Sequence, residues 1–191
     1  MSKIYLSSDT HFGHDREFCW GPRGFSNVDE MNEKIIENFN NIIEPDDTLY
    51  LLGDVVMGSL DNIDFVKKIN CQNILIIRGN HDTDNKTINY ACCPNVLQVY
   101  EGGIHMKYNK YRFFLSHYPA LCGNFDDGDN LHKHVINLCG HIHTKDKWHD
   151  YDKGIIYHVE LDAHDNKPVL IDDIIKDLKE RYYGKIQTNV D

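Results

Sequence analysis

The sequence is short of the features that mark several common classes of protein. Its six cysteines, Cys19, Cys71, Cys92, Cys93, Cys122 and Cys139, include no CxxC pair, so neither a zinc ribbon nor a disulfide framework is indicated. Reduced, mostly structural thiols are expected. No apolar run approaches the length that spans a bilayer, and the opening residues MSKIYLSSDTHFGH enter a strand-like run without the apolar core of a secretory signal. A cytoplasmic protein with no membrane partner is the expectation. Cations are also scarce: 20 Lys and Arg stand against 30 Asp and Glu, a net charge of -10. Extended nucleic-acid binding, which rests on clustered cations that release counterions, is therefore disfavoured. The charge still admits a small phosphorylated substrate at a site with bound cations of its own. The chain has no repeat, linker or low-complexity segment. With 191 residues, 41% hydrophobic and 26% charged, residues 1–191 are expected to fold as one domain.

The apolar pattern is that of an α/β protein. Residues 4–8 have a strand's length and run into Asp9-Thr-His11, after which Gly13 opens a loop carrying Arg16, Trp20, Pro22 and Arg23. Ser26 followed by Asp29 reads as a helix start, and Met31, Ile35, Ile36, Phe39, Ile42 and Ile43 recur at helical spacing, which predicts a helix ending near Pro45. Residues 48–52 and 74–77 are further strand-length runs, separated by a weaker amphipathic helix with Ile63, Phe65, Val66 and Ile69. The order β, α, β, α, β implies parallel strands joined by helices. Residues 96–100, 104–108 and 111–115 then follow one another closely across Gly102-Gly103 and Asn109-Lys110, the pattern of antiparallel hairpins. Two more strands are expected at 135–138 and 155–161, with a closing helix from Asp172 carrying Ile174, Ile175 and Leu178.

Five blocks share one feature, an apolar strand whose end is followed at once by metal-binding side chains: Asp9-x-His11, Gly53-Asp54, Gly79-Asn80-His81-Asp82, His117, and Gly140-His141-x-His143. Strand ends in an α/β sheet lie along one edge, so ligands distant in sequence converge there on a rigid base. If their segments stay extended, Asp9 with His11 and His141 with His143 would each present two ligands to one cluster. Carboxylate, imidazole and amide ligands without a thiolate favour Mn²⁺, Fe or Zn²⁺ over soft-metal or calcium sites. Asp126, Asp127 and Asp129 lack the twelve-residue loop of a calcium site and read as a solvated acidic loop. Outside the blocks, His105, His132, His134, His149, His158 and His164 read as ordinary surface or hydrogen-bonded histidines, and Trp20, Tyr108 and Tyr111 as packing residues.

These blocks, in this order from Asp9 to His143, resemble the calcineurin-like metallophosphoesterase superfamily. The resemblance implies a four-layer α/β/β/α sandwich of two mixed β-sheets flanked by helices. It implies a dinuclear-metal-dependent hydrolase of phosphomonoesters or phosphodiesters, with Asp9, His11 and His143 on one metal, Asn80, His117 and His141 on the second, and Asp54 bridging. The two divalent ions, Mn²⁺ first, with Fe, Zn²⁺, Ni²⁺ or Mg²⁺ as alternatives, would hold a nucleophilic hydroxide and clamp the phosphoryl oxygens. His81 is the expected leaving-group acid, and Asp82 is expected to orient or polarise its ring, with a turn cap as the second reading of Asp82. His14, Arg23 and Arg78 are candidate contacts to substrate phosphate. Competing readings are a non-catalytic metal-binding scaffold of the same fold and a nuclease acting on short or cyclic nucleotides. Substrate choice is expected to reside in the loops at 13–25 and 120–134.

Overall fold

The computed structural model describes residues 2–123, 130–151 and 154–188. The apolar runs of the first half form β1 (Ile4–Ser7), β2 (Thr48–Leu51) and β3 (Asn73–Ile77). They pair in parallel, as strands joined by helical crossovers do. The first crossover carries the single turn α1 (Glu17–Trp20) and the longer α2 (Val28–Asn40). The second carries a 3₁₀ turn at Leu60–Ile63 that runs into α3 (Asp64–Lys67). In α2 the N-cap is Asn27, not Ser26: the Asn27 side chain accepts the Glu30 N–H, while the Ser26 N–H donates to the Glu30 carboxylate. The helix buries Met31, Ile35 and Phe39 at the anticipated spacing.

One expected hairpin strand belongs elsewhere. A helix the sequence did not advertise, α4 (Asp84–Ala91), follows β3 and returns the chain to β4 (Val96–Tyr100), which pairs parallel with β3. The helix DNKTINYA buries only Lys86 and Tyr90, so it has no apolar stripe to betray it. The hairpin proper is β5 (Ile104–Tyr108) with β6 (Tyr111–Leu115). Its two-residue turn places Asn109 at φ 47° and Lys110 at φ 72°, the paired positive dihedrals that suit the twist of flanking strands.

Beyond it lie β7 (Val135–Cys139), β8 (Trp148–Tyr151), β9 (Gly154–His158), β10 (Val169–Leu170) and α5 (Ile171–Thr188). The strands form two five-stranded sheets, β10-β1-β2-β3-β4 and β5-β6-β7-β9-β8. Both are mixed, since β10 and β1, β5 and β6, and β8 and β9 are antiparallel while the remaining pairs are parallel. Alternate residues divide the first sheet between two cores. Tyr5, Leu49, Leu51 and Ile76 pack with Met31, Ile35, Phe39, Val66 and Tyr90 of the helices. On the opposite face Leu6 and Ile77 join Phe113, Leu115, Ile136, Leu138 and Tyr157 of the second sheet, with Ile174, Ile175 and Leu178 of α5. The architecture is two mixed sheets flanked by helices, as expected.

Among the described residues no helix is long and apolar enough to cross a membrane, and all six cysteines are free. Asp126, Asp127 and Asp129, in the middle of the 120–134 loop, lie outside the described residues. Phe39 is fully buried beneath the first sheet, so Phe39→Ala is expected to lower the unfolding free energy by about 3–5 kcal/mol, read from urea denaturation.

Candidate metal centre

Every candidate ligand follows the C-terminal end of a strand. β1, β2 and β3 run parallel, as do β6, β7 and β9, so each sheet gathers its ligand-bearing loops along one edge, and the two edges meet. The join includes backbone: Leu161 N–H, just after β9, donates to Ser8 O, just after β1. A Cβ on Gly140 would collide with the Asp9 carboxylate and the Ser8 hydroxyl, so the absence of a side chain there is what lets the two edges close.

Two clusters result, Asp9 with His11 and His143, and Asp54 with His117 and His141. In the first, Asp9 is fully buried. Its Oδ2 accepts from the Ser8 hydroxyl at 2.6 Å and from the His141 N–H at 2.9 Å. Its Oδ1 has no hydrogen-bond partner and lies 3.6 Å from His11 Nε2 and 3.7 Å from His143 Nε2. His11 Nε2 is also buried and unpartnered. In the second cluster His117 Nδ1 is held 2.8 Å from Leu52 O, which fixes that nitrogen as the donor and aims the Nε2 lone pair into the site. That Nε2 lies 2.9 Å from Asn80 Oδ1, 3.2 Å from His141 Nδ1 and 3.5 Å from Asp54 Oδ2. Asp54 Oδ2 sits between the clusters, 3.8 Å from His11 Nε2 on the other side.

The two carboxylates and His11 are held in the protonation states a cation needs, whereas burial at His117 is outweighed by contacts with Asp54 and Asp9, which raise its pKa, and the bond to Asp162 raises that of His143. Burial works to raise the Asp54 pKa, but hydrogen bonding with His117 and the His81 N–H, and nearby imidazole charge, bring it down to about 2. Burial similarly opposes ionisation of Asp9, whose contacts with His11 and the charges of His117 and His143 nevertheless hold it below the usual range. Burial lowers the pKa of His11 and so favours the neutral ring that a metal requires. Ionised carboxylates, imidazoles and an amide oxygen fit divalent cations in both clusters, and in the first the unpartnered Asp9 Oδ1 and His11 Nε2 face one another.

The pairs reach these positions differently from the extended geometry anticipated. Asp9, His11, Asp54, His141 and His143 all have positive φ, at 57°, 47°, 52°, 79° and 51°. Each costs of order 1 kcal/mol or more in a non-glycine residue, and such strain persists only where surroundings over-determine it. Asp9 and His11 do share a cluster, through tight turns. His141 and His143 diverge and serve different clusters.

His81 stands over the centre with its ring half exposed, Nε2 4.0 Å from Asp54 Oδ2. Asp82 does not orient that ring. It is buried, and its oxygens accept from the backbone N–H of Asp54, Val55 and Gly79 and from the Tyr90 hydroxyl. It therefore pins the turn bearing Asp54 to the turn bearing Asn80 and His81. Buried Lys86 supports the same turn by donating to His81 O and Val56 O. His14 stacks on His11 with ring centroids 5.3 Å apart. Burial and the neighbouring charges of His11, His81 and Arg23 push its pKa down to about 4, so it is neutral near pH 7 and offers a phosphate no charge.

Of the two arginines expected at phosphate, Arg23 is not free for it. Arg23 has a side chain only 1% exposed and donates to both oxygens of Asp162, to Asp9 O, to Thr10 O and to Met31 Sδ, which occupies its whole guanidinium. Arg78 donates to Asp82 O, Glu101 and Asp84. Sequence reasoning also missed Asp162, which accepts a 3.0 Å hydrogen bond from His143 Nδ1. Replacing Asp82 by Ala would strand three backbone donors, and it is expected to destabilise the fold by about 3 kcal/mol or more, read as a fall in the thermal midpoint.

The calcineurin-like phosphoesterase superfamily domain matches residues 2–158 of the chain. An uncharacterized protein of Methanocaldococcus jannaschii is 33% identical over 181 residues, 92% of this chain and 91% of that protein. The crystal structure of a protein of unknown function from Aquifex aeolicus shares the fold, with a TM-score of 0.67 at 22% identity, over 92% of this chain and 99% of that one. With the domain match spanning most of its length, the chain belongs to the calcineurin-like phosphoesterase superfamily.

Proposed function

We propose that this protein is a hydrolase of small phosphomonoesters or phosphodiesters that works with two divalent metal ions. The reading assigns Asp9, His11 and His143 to one ion, Asn80, His117 and His141 to the other, and Asp54 to both. The observation that carries it is the set of buried acceptor atoms with nothing to accept from, Asp9 Oδ1 and His11 Nε2, facing Asp54 Oδ2 across 3.8 Å from His11 Nε2. Burying an ionised carboxylate costs several kcal/mol unless something positive compensates it. Ions held there would polarise the phosphoryl oxygens and make water nucleophilic near neutral pH.

The chain's own residues do the rest. Asp54 holds the two halves of the site together through Oδ2 while its Oδ1 accepts the His81 N–H at 2.8 Å. That bond places the His81 ring at the open side of the centre, where it would give a proton to the leaving oxygen. Asp82 keeps the turn rigid without touching the proton donor. Two exposed aromatic rings flank the clusters: Phe18, 73% exposed, packs edge-on against His14, and Tyr118, 50% exposed, packs against His141 and His117. Large rings left in solvent beside a polar centre favour a substrate with a planar group of its own, such as a nucleotide.

The test is hydrolysis of paired chromogenic monoester and diester substrates by metal-stripped protein to which Mn²⁺, Ni²⁺, Zn²⁺ or Mg²⁺ is restored. Activity should return with metal and be abolished in Asp54→Ala. His81→Ala should keep its metal content and lose about 10²–10⁴-fold in kcat. Unchanged turnover in His81→Ala would remove its assigned role. Silence under every metal with ions bound would favour the scaffold reading.

A further inference from the structure

The Asp9/His11/His143 cluster has a support that the other cluster lacks. His143 is the most exposed of its three ligands, its side chain 41% open to solvent, on a backbone turned to φ 51°. Nothing in its own loop fixes which ring nitrogen faces the centre. Asp162 does so: its Oδ2 accepts from His143 Nδ1 at 3.0 Å, leaving the Nε2 lone pair directed towards Asp9 Oδ1 at 3.7 Å. Asp162 is itself clamped by Arg23, whose Nε donates to Oδ1 at 3.1 Å and whose Nη2 donates to Oδ2 at 2.8 Å. The same guanidinium reaches Asp9 O at 2.7 Å and Thr10 O at 3.3 Å. One buried cation therefore ties the turn after β1 to the 3₁₀ turn at Leu161–Ala163 and, through Asp162, to the loop after β7. His117, in the other cluster, takes its support from the Leu52 carbonyl and touches neither Arg23 nor Asp162.

Resting on the two-metal reading above, we propose that Arg23 and Asp162 are positioning residues that fix His143 and set the affinity of the Asp9/His11/His143 cluster for its ion, independently of the Asp54/His117/His141 cluster. The fork geometry matters, since only a guanidinium can bind both carboxylate oxygens and still reach two carbonyls. A buried ion pair is also a poor device for stability alone, because its desolvation offsets most of its Coulombic gain and an apolar pair would pack as well. What the ion pair adds is orientation: a carboxylate behind a metal-bound imidazole fixes the tautomer and raises the basicity of the ring.

The experiment measures metal binding itself, by equilibrium dialysis with Mn²⁺ and by the visible absorption of Co²⁺-loaded protein, on the full chain and on Asp162→Ala, Asp162→Asn and Arg23→Lys. The parent protein should bind two ions. In Asp162→Ala one ion should bind with unchanged affinity and the other about 10–100-fold more weakly. Part of the Co²⁺ spectrum should be lost at limiting metal. Asp162→Asn and Arg23→Lys should fall between. A role confined to holding the fold together would weaken both ions in parallel or neither, and either result overturns the proposal. If the alanine variant does not fold, the isosteric Asp162→Asn decides by the same readout. Failure of the two-metal reading is seen separately, as a parent protein that binds fewer than two ions before any variant is made, and it overturns the proposal as well.

Discussion

The Asp9 carboxylate is the point on which the two sheets depend for their alignment. It leaves β1 of the first sheet, yet one of its oxygens accepts the N–H of His141, which follows β7 of the second, and its own carbonyl accepts from Arg23. Those bonds form only if the ligand-bearing edges of both sheets stand at one level. The single Ser8 hydroxyl proton lies within hydrogen-bond reach of both the same carboxylate and Leu52 O, so β1 and β2 are brought to that level together. Gly140 leaves the space in which the contact is made. With the edges so fixed, Asp54, Asn80, His117, His141 and His143 have few places to go other than around a common centre.

That convergence comes at an energetic cost which the protein does not offset internally. Asp9 and Asp54 are buried carboxylates, five ligand-bearing residues hold positive φ, and acceptors at the heart of the first cluster lack partners. A packed apolar plug would remove all three burdens. Their coexistence at one spot, while the cores on either side are filled by Leu, Ile, Val and Phe, is the physical signature of a site kept for cations. The surrounding network is stiff in the places that matter. Asp82 locks two turns through backbone donors, Leu52 O locks His117, and Arg23 with Asp162 locks His143. His81, Phe18 and Tyr118 remain at the solvent side.

Much of this was legible in the sequence, because a strand that ends against a polar turn leaves a sharp boundary between apolar and metal-binding residues. The blocks at Asp9, Asp54, Asn80, His117 and His141 each carry that boundary. Asp162 also stands directly after the strand expected at 155–161, but it is a lone carboxylate outside the five blocks that carry the family resemblance. Asp82 follows its second reading, a turn cap, whereas Arg23 misled: the residue types of the two suit catalysis and phosphate binding, and only burial reveals that their hydrogen-bonding capacity is spent on backbone, on Tyr90 and on Asp162. The parallel placement of β4 was hidden by α4, whose polar face and lack of an apolar stripe resemble a loop. The divergence of His141 from His143 depends on dihedrals that spacing alone does not encode.

The proposed function requires two ions to share this centre across Asp54. Anomalous diffraction from crystals grown with saturating Mn²⁺ tests it directly. Two peaks about 3.5–4 Å apart are expected, one bounded by Asp9, His11 and His143, the other by Asn80, His117 and His141, and both touching Asp54. A single peak, or none within reach of Asp54, would contradict it.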